Sequence, residues 1–359
     1  MQLHATVAQL TFCVLGTVMN SIKFLVISTL ALILTACGGS GSSSSFSSLV
    51  RYSELQPDVS IRNTSAITQQ VTYTVDGNND VSNIGDVTAA GSATVTEEYQ
   101  DGTVNDEPNA DPADTTNDIH ELSITSAEGT VISYDHSTDN LEESFFGVQV
   151  MDNETDSANN SDDATYAILY SNPYDHGLDY NSYGIWFKLS TETASGYTYD
   201  LGTVSSGVKT DAANMPTTGS ASYSGSHISH YYGPIDGVNG GLASEYVVAG
   251  TVSMDVDFTG DRAISFATTV SNVEDDETSS ELTGADLTSA QTTLATSGAL
   301  SINGSSFTGS VTADGGFLVG SVTGQFYGPA AEEAGGVFEL QDNGEAVTST
   351  YIGAFGAGL

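Results

Sequence analysis

GSVTGQFYGPAAEEAGG, residues 320–336, alternates small and apolar side chains as far as Phe326 and then breaks into Tyr327-Gly328-Pro329 and two adjacent carboxylates. Leu318, Gly320, Val322, Gly324 and Phe326 fall on one side of an extended chain, with Ser321, Thr323 and Gln325 on the other. That period of two marks a strand with one face in a core and one in water. Large side chains alternating with glycines suit the tapering interior of a small barrel. Past the strand, Pro329 fits the first turn of a short helix, and Glu332 and Glu333 sit where the helix dipole favours negative charge. Gly335-Gly336 would end it. The stretch therefore predicts a strand followed by a one-turn helix plugging one barrel end. The two carboxylates then have a structural role, because adjacent helical residues do not share a face.

The same alternation runs outward along the chain. TVSMDVDF, residues 251–258, puts Val252, Met254, Val256 and Phe258 on one side and Ser253, Asp255 and Asp257 on the other. Turn signals recur at 259–262 (TGDR), 303–304 (NG), 314–316 (DGG) and 342–344 (DNG). Asn-Gly and Asp-Gly supply the positive φ that tight hairpins require. Strands are expected near 219–224, 246–258, 263–270, 297–302, 306–312, 317–327, 336–341 and 346–354, with no long stretch of helical spacing. Eight consecutive antiparallel strands close into an up-and-down barrel without exposed edges. The fold class is all-β: a β-rich handle domain over 51–213, then an eight-stranded barrel over 214–359, packed rather than hollow. A membrane-embedded barrel is the alternative for eight alternating strands.

The N-terminus reads as an address. From Met19, a short polar segment with Lys23 leads into the apolar run Phe24–Leu34 and then into small residues before Cys37. The run is far shorter than the roughly 20 residues a membrane-spanning helix needs. Leu34-Thr35-Ala36-Cys37 resembles the bacterial lipobox, in which cleavage precedes the cysteine and the new terminus carries lipid. Residues 1–36 are thus read as a signal peptide, with Met19 the true start, Cys37 as the lipid attachment site and 37–50 as a Gly/Ser-rich tether. A lipid anchor argues against a barrel already embedded in the bilayer. Both cysteines, Cys13 and Cys37, precede the body, which can form no disulfide.

The 46 acidic and 6 basic residues give a formal charge of −40. Such a surface repels phosphate backbones, excluding nucleic acid as a partner. No G-x-S-x-G, H-E-x-x-H or P-loop motif occurs, so no catalytic residues are proposed and an enzyme is not expected. His227 and His230 in SHISHYY are candidate metal or haem ligands; on a strand, residues three apart point to opposite faces, so they converge only if the segment is a loop. The segments 105–118 and 151–163 are rich in oxygen ligands of the kind calcium takes, without the EF-hand register. Seven of the 17 tyrosines lie between 166 and 199 beside Trp186. Tyrosine and tryptophan anchor interfaces, which makes Tyr174, Tyr180 and Trp186 candidate partner-binding residues.

GSVTGQFYGPAAEEAGGVFEL with the terminal YIGAFGA resembles the barrel of transferrin-binding protein B and its relatives, a family of Gram-negative surface lipoproteins. NMPTTGSASYSG at 214–225 resembles that barrel's first strand, and YNSYGIWFKL at 180–189 is similar to a handle strand. The resemblance implies a single handle-plus-barrel lobe on a lipidated tether at the outer-membrane surface. It implies capture of an extracellular partner for iron or haem acquisition, with hand-off to a TonB-dependent receptor. A second lobe does not fit in this length, and the scaffold alone does not fix the ligand. A solute-binding lipoprotein without an iron role and an adhesive or structural surface protein are the alternatives.

Overall fold

The structure is a computed structural model that describes residues 60–76, 81–101, 117–135, 139–145, 148–153, 165–171, 177–193, 195–275, 280–342 and 348–359. The signal segment, Cys37, the tether, Tyr174 and the acidic segments 105–116 and 154–163 lie outside the described residues.

Two antiparallel sheets hold nearly all of the described chain. The first contains β1 (Ser60–Asp76), β2 (Val81–Ile84), β3 (Gly91–Asp101), β4 (Asn117–Thr125), β5 (Val131–Asp135), β6 (Asn140–Phe145), β7 (Val148–Asp152), β8 (Tyr166–Tyr170), β9 (Asn181–Thr193) and β10 (Gly196–Gly207). Their order is β5-β4-β3-β1-β10-β9-β8-β7-β6, with β2 paired to β1. This handle sheet curls until its two ends meet. Asp135 N donates to the Asp139 carboxylate at 2.8 Å, which also accepts from the Tyr166 hydroxyl at 2.7 Å, and Lys188 Nζ reaches the Val131 carbonyl at 2.6 Å. Inside the curl, Val95, Ile124, Tyr170, Trp186 and Val204 form a core.

The second sheet contains β11 (Ser220–Pro234), β12 (Ala243–Asp257), β13 (Ala263–Asp275), β14 (Ser280–Glu281), β15 (Ser297–Asn303), β16 (Ser306–Ala313), β17 (Leu318–Tyr327), β18 (Glu333–Asp342) and β19 (Thr350–Gly358). The order β12-β11-β19-β18-β17-β16-β15-β13 closes through pairing of β12 with β13, and β14 is a two-residue addition to β13. Eight strands close the barrel. Val252, Met254, Val256 and Phe258 point inward, while 253, 255 and 257 are exposed, as the alternation requires. Phe307 packs 5.2 Å from Phe326 and Phe266 5.2 Å from Phe355, so aromatic rings fill the interior. Replacing Ile264, 1% exposed in this core, with valine is expected to cost about 1 kcal/mol in urea unfolding; a change below about 0.3 kcal/mol would mean the site repacks.

Two local expectations fail. Residues after β17 form a tight turn instead of a one-turn helix, because Gly328 (φ 86°) and Ala331 (φ 62°) lie in the left-handed region and interrupt any right-handed run. Glu333 is the first residue of β18, and Gln325 is buried rather than wet. An 11-residue helix, α1 (Gly284–Leu294), also crosses between β14 and β15. It shields only Ala290, Thr293 and Leu294, which is why its sequence carries little helical periodicity.

The handle lies against the outer wall of β12, β11, β19 and β18. Ile67, Tyr183 and Ile185 of the handle pack with Ile228, Val247, Val337 and Ala354 of the barrel. Val71, Tyr73 and Leu201 pack with Ile352.

Candidate functional site

Trp186 and Tyr180 do not reach the surface. Along β9, Trp186 points into the handle core at 0% exposure, whereas Tyr183, Ile185 and Phe187 point toward the barrel. Sequence alternation offers one wet face and one dry; here both are dry, because the curled sheet covers one and the barrel the other. Gly202, paired with Trp186 across β9 and β10, makes the room: a Cβ there would lie 2.0 Å from the indole ring. Tyr180 is likewise buried, and its carbonyl accepts from Val208 N at 3.0 Å. Both residues build the lobe and cannot act as exposed anchors.

His227 and His230 lie on β11, which runs unbroken through SHISHYY, and they face opposite ways. His227 sits among barrel-interior rings, 5.9 Å from Phe338, with Nε2 at 3.0 Å from the Thr269 carbonyl and Nδ1 at 3.2 Å from Ser229 Oγ. Burial lowers its pKa to about 4, keeping it neutral at physiological pH. His230 faces the handle between the rings of Tyr73 (5.9 Å) and Phe187 (5.5 Å). The pair cannot share one ion. Among the described residues, no group of three or more His, Cys, Asp or Glu side chains is gathered for a metal.

The junction of the two sheets is built by residues that the sequence did not single out for this task. Glu333, at the start of β18, takes the backbone N–H of Asp179 at 2.5 Å and of Tyr180 at 3.0 Å. Burial raises its pKa to about 7, partly offset by those two donors. Beside it, Asn181 donates to the Ser206 carbonyl at 2.8 Å and Ser205 Oγ at 3.1 Å. Its amide lies flat on Gly335 and Gly356, where any Cβ would come within 2.5 Å of Oδ1. The connecting segment then binds the β17–β18 turn: Thr210 N donates to the Phe326 carbonyl at 2.9 Å and Gly328 N to the Val208 carbonyl at 2.9 Å. Gly335 of the quoted stretch therefore permits close approach of the handle, while Gly336 makes room for β17 at Thr323 and Gly324. A crevice of about 210 Å³ opens next to this junction, lined by Gly177, Leu178, Ser224, Ser226, Gly356 and Leu359.

A family model described as the C-lobe and N-lobe beta barrels of Tf-binding protein B matches residues 215–358. This segment matches the barrels of that protein family. Solved structures similar to the chain include a double mutant of transferrin-binding protein B from Haemophilus parasuis Hp5, 12% identical over 84% of this chain and 76% of that one, with a TM-score of 0.36. Transferrin-binding protein B from serogroup B Neisseria meningitidis is 12% identical over 83% and 76%, with a TM-score of 0.34. The N-lobe domain of lactoferrin-binding protein B from Moraxella bovis is 14% identical over 53% and 78%, with a TM-score of 0.32. No curated protein matches the sequence.

Two of the barrel's exposed large apolar side chains share one rim, while Leu359 (72% exposed) lies at the opposite end. Leu242 (71% exposed) lies in the β11–β12 connection and Phe317 (47% exposed) in the β16–β17 connection, and the antiparallel order places both on the same rim. Connections on a rigid scaffold are where binding residues concentrate. The rim is thus a candidate surface for a protein partner, a role that the buried Tyr180 and Trp186 do not fill.

Proposed function

We propose that this protein is a lipid-anchored outer-membrane surface protein that binds an extracellular iron- or haem-carrying partner and passes its cargo to a TonB-dependent receptor. Its role is binding, not catalysis. The observation that carries this reading is the match of residues 215–358 to the barrels of Tf-binding protein B. The handle sheet packed along the barrel wall supports it, since the two together share buried contacts as one lobe. Cys37, following the apolar run and small residues, supports the lipid anchor. The partner contact is assigned to the barrel rim at Leu242 and Phe317, because Tyr180 and Trp186 are buried.

The test is capture from spent medium and outer-membrane extract by the mature chain, with retained proteins identified by mass spectrometry. Recovery of an iron or haem carrier, or of a TonB-dependent receptor, is expected. Leu242→Asp with Phe317→Asp should weaken that capture tenfold or more while leaving the unfolding free energy within about 0.5 kcal/mol, as surface substitutions do. Recovery of only polysaccharide or envelope structural proteins would overturn the reading in favour of adhesion.

A further inference from the structure

We propose that His230 and Glu245 form a binding site for a single transition-metal ion such as Zn²⁺ or Cu²⁺ in the handle–barrel interface. The first observation is an unsatisfied imidazole. His230 is 0% exposed, and neither Nδ1 nor Nε2 has a hydrogen-bond partner. A buried ring in that state costs stability, and a water or a bound ion is one of the ways such a group is satisfied.

The second observation is what Nε2 faces. Glu245 Oε2 lies 3.8 Å away, too far for a hydrogen bond and wide enough for an ion between the two. Zinc bonds to imidazole nitrogen and carboxylate oxygen are roughly 2.0–2.2 Å long, so the gap is bridged at a ligand–metal–ligand angle of about 130°. The other oxygen of the same carboxylate, Oε1, accepts from the Tyr199 hydroxyl. That contact orients the carboxylate as an outer-shell partner orients a ligand.

Access and selectivity follow from the surroundings. Glu245 keeps 18% of its side-chain surface exposed, so an ion can enter from its side and keep water as its remaining ligands. Tyr73 and Phe187 close the other sides of the imidazole with their rings. One imidazole with one carboxylate suits Zn²⁺ or Cu²⁺ and disfavours Ca²⁺ and Mg²⁺, which prefer all-oxygen sets. His227 takes no part, since it faces the barrel interior. The inference does not depend on which partner the lobe carries.

The experiment uses untagged mature protein freed of metal by chelation. Zn²⁺ at about 0.1 mM should raise the unfolding midpoint by several degrees, with one ion bound per chain by calorimetry, while Mg²⁺ at the same concentration should not. Cu²⁺ should give an electron paramagnetic resonance spectrum with coupling to one imidazole nitrogen. His230→Phe keeps the ring volume among aromatic neighbours, and it should abolish both the zinc shift and the nitrogen coupling. Glu245→Gln should weaken binding about tenfold or more. No zinc response in the unmodified protein, or an equal response in His230→Phe, would overturn the site.

Discussion

Trp186→Ala is expected to remove about 3–5 kcal/mol of stability from the handle, the usual cost of deleting a buried large aromatic side chain. The indole is fully buried among Ile168, Tyr170 and Val204, and the neighbouring strand has given up a side chain at Gly202 to receive it. No small rearrangement refills that space, because the cavity is walled by paired backbone on both sides. Urea unfolding followed by far-ultraviolet circular dichroism would measure the loss. Trp186 is the sole tryptophan of the chain, so its fluorescence in the unmodified protein should start blue-shifted and move red in the same transition. The result separates two roles. A partner anchor would lose affinity with little change in stability, whereas the buried residue described here loses stability first. An unfolding free energy unchanged within about 0.5 kcal/mol would refute the packing assigned to it.

The barrel was legible in the sequence because its strands face two different solvents. Val252, Met254 and Val256 alternate with Ser253, Asp255 and Asp257, and an inward large side chain next to an outward polar one is what a wet-backed barrel demands. The handle was legible only as β-rich. β9 carries Tyr183, Gly184, Ile185, Trp186 and Phe187 in succession, and a strand covered on both faces loses the alternation that would say which residues are hidden. Composition also misled at Pro329–Glu333, since proline, alanine and glutamate favour a helix start. The positive φ at Ala331 that forbids one has no sequence signature. The opposed directions of His227 and His230 followed from their spacing once the segment proved to be a strand. Glu245 and Asn181 gave no local signal: their neighbours come from distant strands, and only the docked pair of sheets brings them together.

Glu333 makes the second large prediction, and it concerns pH. In an unfolded chain its carboxyl has the ordinary value of 4.5; burial raises it to about 7 in the folded protein, the N–H groups of Asp179 and Tyr180 offsetting only part of that. The nearby Asp179 carboxylate adds to the rise, and Glu332 is the neighbouring acid of the turn. With the folded value above the unfolded one, the folded state holds this proton more tightly. Its contribution is fully present below about pH 4.5 and is lost as pH rises through about 7. The shift corresponds to about 3 kcal/mol at full ionisation. Glu333→Gln keeps the shape and removes the titration, so the stability difference between the two proteins isolates this group while all other carboxylates cancel. Urea unfolding at pH 5, 6.5 and 8 should show the unmodified protein losing about 2.5 kcal/mol relative to the variant across that range. A difference that stays flat would mean the carboxyl is ionised throughout. The stretch that opens as a barrel strand thus ends by fastening the barrel to the handle, with a carboxyl half-ionised near neutrality. Small pH changes there act on the joint between the two sheets more than on either core.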